Sequence, residues 1–415
     1  MQYTVLAQPF KSKTVTLPAS KSISNRALVI NALSGKGVMP ENLSDCDDTF
    51  VMVRGLEELN IKDSSATSDL PVIDIMAAGT AMRFLSAYLS VTPGTRIITG
   101  TERMRHRPIS VLVDALRTLG AEIDYVEEEG YPPLRITGHP LEGGSICLPG
   151  NVSSQYVSAL LMAGPQLQKG LTLTLTGEIV SRPYIDMTLG IMKQFGAQAS
   201  WSGANEISVS PSPYTPIPYY IENDWSASSY WYEMVALTPE SEVTLPGLFA
   251  ESLQGDQAVK DIFAPLGVET TFLPDNGGVR LTHAGQHAQR LDIDMLRQPD
   301  LAQTVVVTCC MLQMPFRITG LQSLKIKETD RIKALRCELA KLGYAIQEAD
   351  DSILYWDGER CPAETAPAID TYEDHRMAMS FAPCAQVLGE IRINNPQVVS
   401  KSYPSFWKEF SVKEA

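Results

Sequence analysis

The sequence predicts an α/β protein of two domains assembled from six similar repeats. Three observations lead there. At 415 residues the chain is long for a single hydrophobic core, so two domains are expected. One phrase recurs along it, an apolar helical stretch that closes on Leu-Gly or a near equivalent and passes into alternating residues. Between these phrases lies a second kind of helix, which opens on small or polar residues and is apolar on most sides.

Taken in order, the first repeat pairs "SKSISNRALVINAL" with "VRGLEELNIK", and the second pairs "GTAMRFLSAYL" with "VDALRTLGAEID". The third has "SSQYVSALLMAG" and "GIMKQFGAQAS", the fourth "DWSASSYWYEMVAL" and "DIFAPLGVETT". The fifth has "PDLAQTVVVTCCM" and "CELAKLGYAIQ", and the sixth "EDHRMAMSFAPCAQVL" with the degenerate "YPSFWKEFSV". Each repeat of about 70 residues therefore reads as a buried inner helix, a strand, an exposed outer helix, then strands. Glycine at the end of the outer helix suits a left-handed C-cap.

Composition narrows the function. Hydrophobic content of 44% and charged content of 20% describe an ordinary globular protein. No apolar run approaches a membrane span, and the opening "MQYTVLAQPF" lacks the features of a secretory signal. Seven cysteines cannot all pair, and Cys309 and Cys310 are adjacent in an apolar stretch, which suits a reduced, cytoplasmic protein. No Cys-x-x-Cys occurs and the histidines lack ligand spacing, so no structural metal is expected. A net charge of −14 argues against nucleic acid or an anionic membrane as partner. An anionic substrate must then be held by local clusters of the 34 basic residues.

Those clusters fall near the starts of the repeats. Lys21 and Arg26 flank the first inner helix; Gly79, Thr80 and Arg83 open the second; Ser153, Ser154 and Gln155 open the third. "TERMRHRP" sets Arg103, Arg105 and Arg107 on alternate positions, with Pro108 expected to begin an outer helix. "LKIKETDRI" groups Lys325, Lys327, Glu328 and Arg331, while "EDHRM" adds Arg376 and "VVSKSYP" adds Lys401. Singly, each has an ordinary reading: a capped helix start for Glu328–Arg331, an acidic N-cap for "EDHRM", an exposed strand face for Arg105. Together, in an acidic protein, they point to an anion site fed by helix N-termini.

With these residues in hand, the chain resembles the 5-enolpyruvylshikimate-3-phosphate (EPSP) synthase family of enolpyruvyl transferases. The resemblance rests on "SKSISNRAL", "AGTAMRF", "ERMRHRPI", "SSQY", "SRPYIDMTL", "PDLAQ", "KIKETDRI", "EDHRMAM" and "SKSYPSF", collinear from Ser20 to Phe406. It implies a two-domain inverted α/β barrel of six βαβαββ-type repeats, three per domain, around buried inner helices. Residues 1–18 and 224–415 would form one discontinuous domain and 19–223 the other, with the active site in the cleft between them.

The resemblance also implies the reaction, transfer of the enolpyruvyl group of phosphoenolpyruvate to the 5-hydroxyl of shikimate 3-phosphate with release of phosphate, toward chorismate and the aromatic amino acids. No cofactor is implied, and the enzyme is expected to act as a monomer. Motif by motif, Lys21, Gly79, Arg103, Arg331, Arg376 and Lys401 would bind phosphoenolpyruvate. Lys21, Ser22, Arg26, Ser153, Ser154, Gln155, Ser181, Tyr184, Asp300, Ser323 and Lys327 would hold shikimate 3-phosphate. Asp300 and Glu328 would be the base and acid, with Lys21 assisting. The cations beside Glu328 favour its ionised form, which burial must offset if it is to donate a proton.

Three positions depart from the family pattern, with Ala77, Ser323 and Glu373 where Asn is common. Each departure reroutes one hydrogen bond, worth about 1 kcal/mol. Two rival readings stay open at this point. One is the sister UDP-N-acetylglucosamine enolpyruvyl transferase, although the reactive Cys of that family is missing near "GTERMRHRP". The other is a non-catalytic sugar-phosphate binder.

Overall fold

The computed structural model of the chain describes residues 1–35, 38–60, 70–274 and 277–414. The chain divides into two compact units, one of Met1–Ser20 with Glu222–Ala415, the other Lys21–Ile221. Among the described residues there are five four-stranded sheets; all five share one strand order, and four of them share the connectivity as well. An edge strand leads through an inner helix to a parallel neighbour. An outer helix then leads into an antiparallel hairpin whose second strand pairs with that neighbour. This is the βαβαββ order that the sequence predicts.

In the Lys21–Ile221 unit, one sheet runs Val72–Asp74 beside Gly94–Thr99, then Leu134–Gly138 and Glu122–Tyr125. The next runs Gly144–Pro149, Leu171–Thr176, Glu206–Val209 and Ala199–Trp201. Alternation sets the register: in Leu171–Thr176 the residues Leu171, Leu173 and Leu175 are buried and the threonines between them face outward. Among the described residues of the first repeat, a parallel bridge between Glu41 and Tyr220 stands in place of its first strand pair. The end of its outer-helix phrase, at 61 and 62, lies outside the described residues.

The other unit holds three sheets. They begin at Ser12–Thr14, Leu291–Asp294 and Ala368–Ile369, each parallel to the strand after its inner helix. In the third, the hairpin is made from the two ends of the chain: Gln2–Leu6 lies between Glu390–Asn394 and Ser411–Glu414. The sixth repeat is thus completed by the N-terminus, and its degenerate outer phrase forms only the 3₁₀ turn Phe406–Glu409.

Inner helices pack on one another three to a unit: Lys21–Leu33, Gly79–Val91 and Ser154–Ala163 in one, Trp225–Ala236, Ala302–Met311 and His375–Phe381 in the other. Small hydroxyl residues allow the close approach. Ser229 Oγ meets Thr304 Oγ1 at 3.2 Å, and Thr304 meets Ser380 at 3.3 Å, so each inner helix of that unit contributes one member. A buried hydroxyl needs such a partner, because leaving it unpaired costs about 1–3 kcal/mol. The outer helices end as the Leu-Gly phrase predicts. Ser110–Thr118 is followed by Gly120 at φ 105°, and Arg331–Lys341 by Gly343 at φ 90°.

Three local expectations are corrected. Arg105 lies not on a strand but at the end of the short helix Glu102–Arg105, whose start is fixed by Thr101 accepting from the Met104 N–H at 3.4 Å. The outer helix after Pro108 begins at Ser110. The sixth inner helix is interrupted: Pro383, which has no N–H, turns it to 3₁₀ geometry at Ala382–Cys384 before Ala385–Leu388.

Candidate active site

In the Lys21–Ile221 unit most of the predicted residues lie at or near helix starts. Lys21 is the first residue of Lys21–Leu33, where the helix dipole disfavours a cation. Its counter-charge is Asp48, in the first turn of Asp47–Asn60, with Lys21 Nζ 3.3 Å from Oδ2. Asp48 is buried and Lys21 only half so. No sequence signal marked this aspartate.

Arg26 is buried one turn further on. Nε donates to Thr188 Oγ1 at 2.7 Å, Nη1 to the Ser22 carbonyl at 2.8 Å, and Nη2 to Ser158 Oγ at 3.2 Å and the Tyr184 carbonyl at 3.5 Å. All four acceptors are neutral. Burial accordingly pulls its pKa down to about 10, against a smaller opposing effect from Tyr184. The network brings Ser22, Arg26 and Tyr184 together.

Ser153 caps Ser154–Ala163 by accepting from the Gln155 N–H at 3.3 Å, and the Gln155 amide reaches Thr80 Oγ1 at 3.0 Å. This ties the third inner helix to the second. Ser181 precedes Arg182–Gln194 at φ 58°, a left-handed conformation uncommon for serine, and makes no capping bond. Gly79 opens its helix beneath two guanidinium groups: an added Cβ would lie 2.7 Å from Arg107 Nη1 and 2.8 Å from Arg83 Nη1. Arg103 is exposed on its short helix.

In the other unit, six predicted residues join one ionic network. Asp300, on the 3₁₀ turn that enters Ala302–Met311, is met by Arg331 at 3.0 Å, Arg376 at 3.2 Å and Lys327 at 3.3 Å. Arg331 also reaches Glu328 at 2.9 Å and Asp374 at 2.7 Å, and Lys401 stands 3.6 Å from Glu328. Ser323 sits in the preceding turn, its buried hydroxyl without a hydrogen-bond partner.

Local structure explains the convergence. Asp330 caps Arg331–Lys341 and so puts Arg331 at its first position. Asp374 caps His375–Phe381 by accepting from the Arg376 N–H at 2.9 Å, while its carboxylate also holds Arg331. The acidic N-cap reading and the anion-site reading are therefore both true of "EDHRM". Burial disfavours the charge of Asp300, but Lys327, Arg376 and Arg331 outweigh it and hold the carboxyl far below the ordinary range. Arg331 is fully buried against three carboxylates, which overcome its desolvation and raise its pKa. Asp256, fully buried, is a further acid near Asp300 that its sequence context "LQGDQ" did not reveal.

Comparison with known proteins decides the family. The profile of EPSP synthase (3-phosphoshikimate 1-carboxyvinyltransferase) matches residues 10–410. The chain belongs to the EPSP synthase family. It is 58% identical over 409 residues to the 3-phosphoshikimate 1-carboxyvinyltransferase of Bacteroides fragilis, covering 99% of this chain and 97% of that one. The namesake from Vibrio atlanticus is 36% identical over 420 residues, covering 97% and 96%. In fold, the chain is similar to EPSP synthase from Acinetobacter baumannii, with a TM-score of 0.79 at 20% identity and full coverage of both. It is also similar to the enolpyruvyl transferase NikO from Streptomyces tendae, with a TM-score of 0.74 at 14% identity, covering 100% and 98%. These two likenesses agree with the two-domain α/β fold expected of the EPSP synthase family.

Proposed function

We propose that this chain carries out the EPSP synthase reaction with the residues placed above. The enolpyruvyl group passes from phosphoenolpyruvate to the 5-hydroxyl of shikimate 3-phosphate, phosphate is released, and the product enters aromatic amino acid biosynthesis. Lys21, Gly79, Arg103, Arg331, Arg376 and Lys401 serve phosphoenolpyruvate. Ser22, Arg26, Ser153, Ser154, Gln155, Ser181, Tyr184, Ser323 and Lys327 serve the phosphosugar, with Lys21 and Asp300. The enzyme works as a monomer in the cytoplasm. No helix among the described residues is long and apolar enough to cross a membrane.

The observation that carries the reading is the set of three cations on Asp300. In the addition step, the Asp300 carboxylate takes the proton of the 5-hydroxyl as its oxygen bonds to carbon 2 of phosphoenolpyruvate. Carbon 3 takes a proton from Glu328. In the elimination step, Glu328 recovers a proton from carbon 3, the bond from carbon 2 to the phosphate oxygen breaks, and Asp300 returns its proton to the leaving phosphate. Surrounded by Lys327, Arg331 and Arg376, the carboxylate of Asp300 is a poor base. Those cations are the ones assigned to substrate anions. Drawing them toward a carboxylate and a phosphate restores the basicity of Asp300, because each charge at about 4 Å is worth about 4 kcal/mol near a surface. Positioning of two anions supplies roughly 7–11 kcal/mol, and acid–base help about 10²–10⁴-fold.

Phosphate release tests the reading. Phosphoenolpyruvate with shikimate 3-phosphate should release phosphate, and phosphoenolpyruvate with UDP-N-acetylglucosamine should not. Asp300→Asn and Glu328→Gln should each lower kcat far more than they raise either KM. Release with the nucleotide sugar alone, or variants changed only in KM, would overturn the assignment.

A further inference from the structure

Asp256 lies in the 3₁₀ turn Gly255–Ala258, pinned on two sides. Toward the helix Trp225–Ala236, the Ser226 hydroxyl donates to the Asp256 carboxylate, and the Trp225 N–H donates to Gln254 Oε1 at 3.0 Å. Toward the turn Pro299–Leu301, the Gln298 amide donates to the Gly255 carbonyl at 3.4 Å. Asp256 is therefore wedged, 2% exposed, between the helix start and the turn that bears Asp300. The charged groups acting on it are Asp300 from that turn, Arg376 from His375–Phe381, and Asp224 from the cap of Trp225–Ala236.

The charge of Asp300 acts on the Asp256 carboxyl, and such an interaction works in both directions. Negative charge on Asp256 opposes the field of Lys327, Arg331 and Arg376 at Asp300, while a neutral Asp256 leaves that field intact. We propose that Asp256 is a positioning residue for the EPSP synthase reaction, its ionised carboxylate holding Asp300 basic enough to take the proton of the 5-hydroxyl. The proposal rests on the reading of Asp300 as the base.

The state of Asp256 fits this role. Burial first, and the charge of Asp300 second, push its pKa up to about 6, against the Ser226 hydrogen bond and Arg376. It is neutral at pH 5 and ionised above pH 7, so the base strengthens as the pH rises between them. The substrate phosphates also titrate near pH 6, and only variants separate the two sources.

The test is the pH profile of kcat from pH 5 to 9 for the full chain and two variants, with both KM values and melting curves. In Asp256→Asn, kcat above pH 7 should fall about tenfold, with KM changed less than about twofold, and the part of the acidic limb due to Asp256 should vanish. In Ser226→Ala, loss of the hydrogen bond to the ionised form should move that limb to higher pH. Asp256→Glu should restore part of kcat. A profile like that of the unaltered enzyme in either variant overturns the proposal. Should Asp256→Asn fail to fold, the direction of the limb in Ser226→Ala decides alone. Asp300→Asn separates the two layers. If it keeps its kcat, the base assignment falls and this inference with it. If it is inactive while Asp256→Asn is unaffected, only this inference falls.

Discussion

Glu233 sits at the centre of the inner helix Trp225–Ala236 with no exposed surface, and neither carboxyl oxygen makes a hydrogen bond of good geometry. Its surroundings include Thr308 and the thiols of Cys309 and Cys384. Burial pushes its pKa well above the usual carboxylate range, with only a smaller opposing effect from Thr308. The folded state thus keeps a proton that the unfolded chain loses above about pH 4.3. Stability from this group is complete below that pH. It declines by about 1.4 kcal/mol per pH unit as the pH rises toward the folded pKa, then levels off.

Glu233→Gln keeps the shape and removes the titration. Its stability relative to the unaltered protein should grow as the pH rises above about 4.3 and level off once the pH passes the raised pKa of Glu233. Glu233→Leu also removes the unpaired polar group and should gain about a further 1–3 kcal/mol at every pH. Urea unfolding followed by tryptophan fluorescence measures this, since four of the five tryptophans belong to the same unit as Glu233. A stability difference between Glu233→Gln and the unaltered protein that is constant across pH would refute the reasoning.

Gly79→Ala should raise the KM for phosphoenolpyruvate more than that for shikimate 3-phosphate, because the new methyl displaces the guanidinium tips of Arg83 and Arg107. Its melting temperature should change little, since the displaced atoms end flexible side chains. Lys21→Met should abolish phosphate release while the fold persists, and the circular dichroism spectrum checks the latter. Arg26→Ala should weaken binding of shikimate 3-phosphate in calorimetry. It should also destabilise the Lys21–Ile221 unit by about 1–3 kcal/mol, because Thr188 and Ser158 lose a buried donor.

Much of the candidate site was legible because it lies in short contiguous motifs at helix starts. "KIKETDRI" contains the cap Asp330 and the residue it orients, Arg331, and "EDHRM" contains Asp374 and Arg376 in the same relation. Local chain geometry fixes such pairs, so the string carries them. The strand reading of Arg105 failed because alternation over five residues is too short to outweigh a threonine cap. Asp48 and Asp256 were missed for a different reason. Their neighbours in sequence say nothing unusual, and their importance comes from Lys21 in one case and Asp300 in the other.

The string alone determined the repeat, the small-residue inner helices, the glycine-ended outer helices and the family motifs. Each depends on periodicity or on neighbours within a few positions, where backbone geometry leaves little choice. The tertiary structure alone decided which charges meet. It completed the sixth sheet from both chain ends, left Arg26 among neutral acceptors, placed three cations on Asp300 and buried Asp256 beside it. Coulomb interactions and desolvation act through space. Their size is therefore set by distances between residues far apart in the chain, which no local pattern encodes.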